Sequence, residues 1–363
     1  MLLRELFDVL DKHAPSGLAY SWDNVGLQIG DLSRDVRRVL VCLDITPNAV
    51  NKAIQEKADL IVSHHPLIFN ALKNITNPLI LSIIEHRISV VSMHTNLDVS
   101  PSGVNHILCK ALGFQPLEYL SSDTGSVWNR LVVSSPPSHT DQVSKAAFSQ
   151  GAGKIGSYED CSLKHQVLGT FTPGRKSNPF LGEHNKPEIV DEIELEFMVQ
   201  DYQIADTIKA IKKAHPYETP YLYYHQVGNS NPAFGLGLIC KPQEPMLLSD
   251  VVSRVVVSLG NQHPSVWNPT PDQDPIVEKI AICGGSGGSL VSKAERKADL
   301  YISGDINYHN LLECRIPIID AGHFYTEYPV VSYMSNLLHE MGLAAIDLSM
   351  HEHEYYQNSI PRV

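Results

Sequence analysis

Three short apolar runs, rich in β-branched residues and each followed at once by polar ones, dominate the first hundred positions. They are RVLVCLDI (38–45), ADLIVSHHP (58–66) and ISVVSMHTN (88–96). A strand that is apolar at every position has both faces covered. With helical stretches between them, PNAVNKAIQEKA (47–58) and NPLILSIIEH (77–86), the runs specify a parallel sheet flanked by helices. The last ninety residues repeat the scheme with EKIAICGG (278–285), ADLYISGD (298–305) and IPIIDAGHF (316–324). The match of ADLIVSHH to ADLYISGD indicates an internal duplication. Open parallel sheets bind ligands beyond the carboxyl ends of their strands, which is where the polar residues fall in both halves. Two related α/β lobes should therefore bring their strand ends around one shared site.

The middle of the chain has a different character. Residues from about 125 to 230 carry the Gly, Pro and Ser loops SSPPSH, QGAGKIG and TPGRKSNPFLG. Within them EIELEFMVQ (192–200) alternates, with Ile193, Leu195, Phe197 and Val199 on one face and Glu192, Glu194 and Glu196 on the other. That pattern is a half-exposed antiparallel strand. A strand at RLVVSS, a helix over Thr140–Gln150, a helix with Ile204, Ile208 and Ile211 aligned, and a strand at YLYYHQV complete a β-α…β-α-β order, which a ferredoxin-like α+β module fits. The expected organisation is an N-terminal half of one α/β domain at 1–124, an inserted α+β domain at 125–232 and the C-terminal half at 233–363. A length of 363 residues suits two or three domains.

Bulk chemistry narrows the function. A net charge of −12 argues against a nucleic-acid partner, because binding phosphates requires a basic face. No apolar run is long enough to span a bilayer. At the N-terminus, Arg4, Glu5, Asp8, Asp11 and Lys12 break up any signal-peptide core, while Leu3, Phe7 and Leu10 form a helical stripe. The six cysteines are scattered without a C-x-x-C pair, as expected of reduced core thiols in a cytoplasmic protein.

Three elements carry metal chemistry. His64 and His65 close a strand before Pro66. Successive strand side chains point to opposite faces, so the two imidazoles suit two neighbouring ions better than one. In MHTNLD, Asp98 follows the next strand; it also suits a cap for a helix beginning near Pro101, although Ser100 is better placed. His94 fits a partner that orients a ligand. In GHFYTE, His323 and Glu327 are four apart and share a face if a helix begins there. In isolation such a pair is equally an ordinary surface pair. Taken together, three imidazoles and two carboxylates, all at parallel strand ends, make a donor set for two divalent cations, with zinc favoured and iron or manganese also suited. Glu327 has two oxygens with which to bridge them. Ions about 3.5–4 Å apart share a water, lower its pKa and orient a substrate.

Other motifs are weaker. GGSGG (284–288) reads as a tight turn before an anion cradle. Asp305 and His309 in GDINYH suit partners of a ligand or contacts to substrate, or equally a helix cap and a surface histidine. HEHE (351–354) follows the strand AAIDLSM, where strand spacing would put His351 and His353 on one face. His215 and Glu218 of AHPYETP read as a turn at a helix end.

The chain resembles the Nif-three-like dinuclear-metal family, some members of which carry the name GTP cyclohydrolase 1 type 2 homolog. The resemblance runs through WDNVGLQIGD, SHHP, HTNLD, CGGSGG, SGDINYH and GHFYTE in the family's order and covers nearly the whole chain. GAGKIGSYEDCS, GTFTPG, NPF and AHPYETP resemble the PII/CutA-like domain inserted in the long bacterial members. The resemblance implies His64, His65, Asp98, His323 and Glu327 as ligands, with Glu327 shared, and a ring-like homo-oligomer, a hexamer. Phe324-Tyr325 and Tyr328-Pro329 depart from the pattern without removing a donor. Two functions follow: a metal-dependent hydrolase of a nucleotide-like small molecule, with GTP ring opening as the reaction the name implies, or a non-catalytic oligomeric regulator or scaffold whose insert senses a ligand.

Overall fold

The computed structural model describes residues 1–122, 127–229 and 233–359. The chain divides into two compact units, Met1–Gly125 with Phe234–Val363, and Ser126–Ala233.

The first unit is a mixed α/β structure with two main sheets. In one, Ser89–Ser92, Leu60–Ser63, Arg38–Cys42 and Ala344–Asp347 lie parallel in that order, with Gly26–Ile29 antiparallel at the edge. The alternation along each strand explains the uninterrupted apolar runs. Val39, Val41, Leu60 and Val62 pack with Leu3, Leu6 and Leu10 of helix Leu3–His13 and with Val331 and Met334 of helix Pro329–Glu340. Leu40, Cys42 and Ile61 face the other way, toward Val50 of helix Pro47–Gln55 and Ile83 of helix Pro78–Glu85. The second sheet has the same plan. Ile280–Ser286, Leu300–Gly304 and Ile318–Asp320 are parallel, flanked by the antiparallel strands Ser265–Trp267 on one side and Leu236–Lys241, then Gln115–Ser121, on the other.

Each sheet borrows a strand across the sequence halves. Ala344–Asp347, from the C-terminal half, pairs in the first sheet, and Gln115–Ser121, from the N-terminal half, pairs in the second. The lobes are thus laced together, and sequence position alone does not assign a strand to its lobe. HEHE also differs from expectation. It lies in helix Ser349–Ser359, where His351 and His353 no longer share the face that strand spacing would give them. The helix after Asp98 begins at Val104, not near Pro101.

The second unit is a four-stranded antiparallel sheet in the order Leu163–Phe171, Glu188–Gln200, Trp128–Ser135, Leu222–Val227. Helices Thr140–Phe148 and Ile204–Ala214 contribute Val143, Ala147 and Ile211 to a core with Leu131, Val133, Leu195 and Phe197. The strand Leu163–Phe171, which the loop-rich sequence around it obscured, completes a β-α-β-β-α-β order. No helix among the described residues is long and apolar enough to cross a membrane.

Candidate metal centre

The sheets place their polar strand ends in one cluster. The strand Leu60–Ser63 stops one residue before the histidine pair, so His64 and His65 stand in a turn rather than on opposite faces of a strand. Backbone bonds from His64 N to Cys42 O and from His65 N to Leu43 O hold that turn. Ser92 and Ser63 hydroxyls donate to the carbonyls of His64 and His65 at 2.9 and 2.7 Å. The imidazoles end 5.0 Å apart, centre to centre. Asp98 closes the one-turn helix Thr95–Asp98 beyond Ser89–Ser92. From the second lobe, Gly322 at φ +83° turns the chain from strand Ile318–Asp320 into the short helix His323–Glu327. There the spacing of four stacks His323 on Glu327.

Glu327 is the hub and is only 4% exposed. Its Oε2 lies 3.1 Å from His65 Nε2 and 3.0 Å from His323 Nε2, while Oε1 lies 3.7 Å from His64 Nε2, itself 3.6 Å from Asp98 Oδ1. Two candidate triads result, His65–His323–Glu327 and His64–Asp98–Glu327, each compact enough to hold a metal ion and both using Glu327. Lacing between the lobes supports them. Asn105 donates to Asp98 O at 2.9 Å and accepts from Gly284 N at 3.0 Å, and Gly285 N donates to Thr326 Oγ1 at 2.9 Å.

Close approach here is not hydrogen bonding. His64 Nε2, Asp98 Oδ1, His323 Nε2 and Glu327 Oε2 are all buried and lack a partner at hydrogen-bond geometry. Buried polar atoms ordinarily find one, so a cluster of them turned toward a common point calls for an ion. The opposite ring nitrogens are all engaged. His64 Nδ1 meets Met93 O at 2.8 Å, His65 Nδ1 meets Asp44 at 2.7 Å, His94 Nδ1 meets Asp23 at 2.9 Å and His323 Nδ1 meets Asp305 at 2.6 Å. Each partner is a pure acceptor, so Nδ1 carries the proton and Nε2 presents a lone pair, as in metal-ligating histidines.

The electrostatics favour positive charge at the Nε2 side, supplied by a metal ion on the neutral rings or, without one, by a second proton. Burial disfavours a charged His65, but Asp44 and Glu327 outweigh it and push the imidazole up to about 10. Burial is likewise outweighed at His323, which Glu327 and Asp305 raise to about 9. Burial would raise Glu327, yet His323, His64 and His65 hold it well below the usual carboxylate range. Asp98 is raised by its burial.

The remaining sequence candidates sort by geometry. Asp305 braces His323. His309 is exposed on helix Tyr308–Glu313, with Tyr308 as its ring neighbour, and is not in the cluster. His94 is itself held by Asp23, and its ring lies 5.4 and 5.5 Å from those of His64 and His65, forming a third compact group with them. GGSGG serves close packing: a Cβ on Gly285 would sit 2.0 Å from Glu327 Oε1. Sequence reasoning missed Asp44, Asp23 and Glu352. Asp44 follows its strand just as His64 follows its own, which was an available signal. Glu352, inside HEHE, accepts from Leu43 N at 3.0 Å and Asp44 N at 3.2 Å and so fixes the loop that carries Asp44.

Relatives share this framework. A protein from Staphylococcus epidermidis named GTP cyclohydrolase 1 type 2 homolog is 34% identical over 346 residues, 93% of each chain, and one from Staphylococcus aureus matches to the same extent. The crystal structure of a Bacillus cereus protein related to NIF3 superposes with a TM-score of 0.80 at 32% identity, covering 100% of this chain and 99% of that one. A Staphylococcus aureus structure gives 0.70 at 30% identity over 94% and 92% of the two chains. The model of the Duf34/NIF3 (NGG1p interacting factor 3) family matches residues 1–358, and with that span the chain belongs to the Duf34/NIF3 family.

Proposed function

We propose that the chain holds two divalent metal ions, zinc by preference, and hydrolyses a small nucleotide-like molecule. His65 and His323 would hold one ion, His64 and Asp98 the other, and Glu327 would bridge them. The observation that carries this reading is the set of buried, partnerless donor atoms around Glu327, backed by four imidazoles whose Nδ1 atoms are already spoken for. Bound ions would supply Lewis acidity, lowering the pKa of a water and polarising the bond under attack. The protein's own part is to orient. Asp44 and Asp305 hold His65 and His323 in one tautomer, and Asp23 fixes His94 at the edge of the cluster. Beside His94, Trp22 is 56% exposed and packs 5.8 Å from the ring of Phe69, 48% exposed, offering an aromatic face to a flat base. The relatives' name makes GTP ring opening the first reaction to assay. The strand order of the Ser126–Ala233 unit supports a PII/CutA-like module, the family resemblance supports a hexameric ring, and six unpaired cysteines support a cytoplasmic location.

Glu327→Ala should reduce bound metal, measured by elemental analysis, to a small fraction of wild type and abolish the GTP-dependent change in ultraviolet absorbance. Turnover that persists in metal-free wild-type protein would overturn the hydrolase reading.

A further inference from the structure

The Ser126–Ala233 unit holds a half-open pocket of about 490 Å³, within the roughly 300–1,000 Å³ typical of small-molecule sites. Its floor is the sheet face turned away from the two helices, where Gly169, Glu192, Glu194 and Ser134 lie. Its roof is the segment 173–181 with Tyr217 and Glu218. The sequence singled out both AHPYETP and the glutamate-bearing strand, and the metal centre uses neither.

Glu192 is the decisive residue. It is 8% exposed and lines the cavity. Gly169 makes room for it: a Cβ there would stand 2.7 Å from Glu192 Oε2. A buried carboxylate is costly without a counter-charge, and the roof's own cations, Arg175 and Lys176, stand exposed and do not line the cavity. Arg130 and His165 pair with Glu196. His215, also buried, is held neutral by its bonds, with Nε2 donating to Ser134 O at 2.8 Å and Nδ1 accepting from Tyr217 N at 3.0 Å. Glu194 and Glu218 add negative charge, and no Lys, Arg or His lines the cavity among the described residues. The Tyr217 hydroxyl is buried beside Glu192 without a partner at hydrogen-bond geometry, and burial followed by the Glu192 carboxylate pushes the phenol up. Phe171 and Phe180 flank the Tyr217 ring at 6.5 and 6.2 Å.

Acidic groups inside an aromatic enclosure select a positive ligand. A metal ion is the poorer fit. Among the described residues, the donor groups close enough to hold one all lie around Glu327 and His64–His65, and Glu192, Glu194 and Glu218 form no such group. An anion such as a nucleotide would meet three carboxylates and no cation. We infer that this cavity is a second ligand site, for a small organic cation whose amine or guanidinium head meets Glu192 and whose apolar body lies against Phe171, Phe180 and Tyr217.

Calorimetric titration of the full chain with agmatine and with 2-phenylethylamine tests this, with 3-phenylpropionate and AMP as anionic controls. At least one amine should bind saturably, equally well after chelation, and Glu192→Gln should weaken it about tenfold or more. Phe180→Ala, a change in the roof rather than the sheet, should weaken it as well and guards against misfolding of the first variant. Absence of saturable binding by both amines, amine binding indifferent to both substitutions, or an anion whose binding is lost in Glu192→Gln would each overturn the assignment.

Discussion

Gly285 shows how tightly single residues define the candidate metal centre. Its φ is +66°, a conformation that disfavours any Cβ, and a Cβ there would also sit 3.3 Å from His323 Nε2 in addition to striking Glu327. Gly285→Ala should therefore displace the Glu327 carboxylate. We expect a loss of about 1–2 kcal/mol from the backbone conformation alone, and with it a loss of most bound metal. Elemental analysis and urea denaturation read the two effects separately. Full metal occupancy in this variant would mean that Glu327 is not a ligand where it stands. At this scale the candidate donors that the fold brings together were readable from sequence, because His-His-Pro after a strand and His-x-x-x-Glu opening a helix are local patterns. Of the bracing carboxylates, Asp305 was read as a partner of a ligand, whereas Asp23 and Asp44 were not read at all. Asp23, Asp44 and Asp305 take their roles from distances of 2.9, 2.7 and 2.6 Å to imidazoles 71, 21 and 18 positions away, and Asp23, at the largest separation, has no local spacing to recognise.

Among the elements, the C-terminal helix Ser349–Ser359 is where sequence and structure part. HEHE after a strand suggested an extended continuation. The chain instead turns at Asp347, whose carboxylate accepts from Ser349 N at 2.7 Å, and enters a helix. That helix delivers Glu352, 9% exposed, to the amides of Leu43 and Asp44. The apolar strands were legible because their burial on both faces leaves a continuous pattern. Which sheet Ala344–Asp347 joins is a tertiary choice that leaves no such trace. Burial, followed by the nearby Asp44 and Asp347, pushes Glu352 from its ordinary 4.5 up to about 7, against the pull of the two amides. Since the folded state favours the neutral form, its contribution is whole below pH 4.5 and is lost as pH rises through 7. Relative to Glu352→Gln, the wild type should lose up to about 3 kcal/mol between pH 5 and pH 8. Urea denaturation of both proteins in chelator, which keeps metal occupancy constant across pH, measures this. A difference that stays flat with pH would show that burial does not raise the Glu352 carboxyl, the Leu43 and Asp44 amides then offsetting its cost in full.

For the whole molecule, the two units have separate cores, and the proposed ions would engage only one of them. Leu131, Val133, Leu195 and Phe197 form the centre of Ser126–Ala233, with no residue drawn from the Glu327 cluster. Every proposed ligand belongs to the unit made of Met1–Gly125 and Phe234–Val363, and Glu327 joins the lobe of Ile280–Ser286 to that of Leu60–Ser63. A ligand that binds only the folded state stabilises it by mass action, about 2.7 kcal/mol at a hundredfold excess over Kd, and that energy appears only in the unit that unfolds with the site. Hydrogen exchange with zinc and with chelator should separate the two. Removing metal should speed exchange at Val62 and Ile302, deep in the two sheets of the first unit, and leave Leu131 and Val133 unchanged. Faster exchange at all four sites would show that the two units open as one. Unchanged exchange at Val62 and Ile302 would show that no ion ties the lobes together, and the carboxylate hub at Glu327 would then need another explanation.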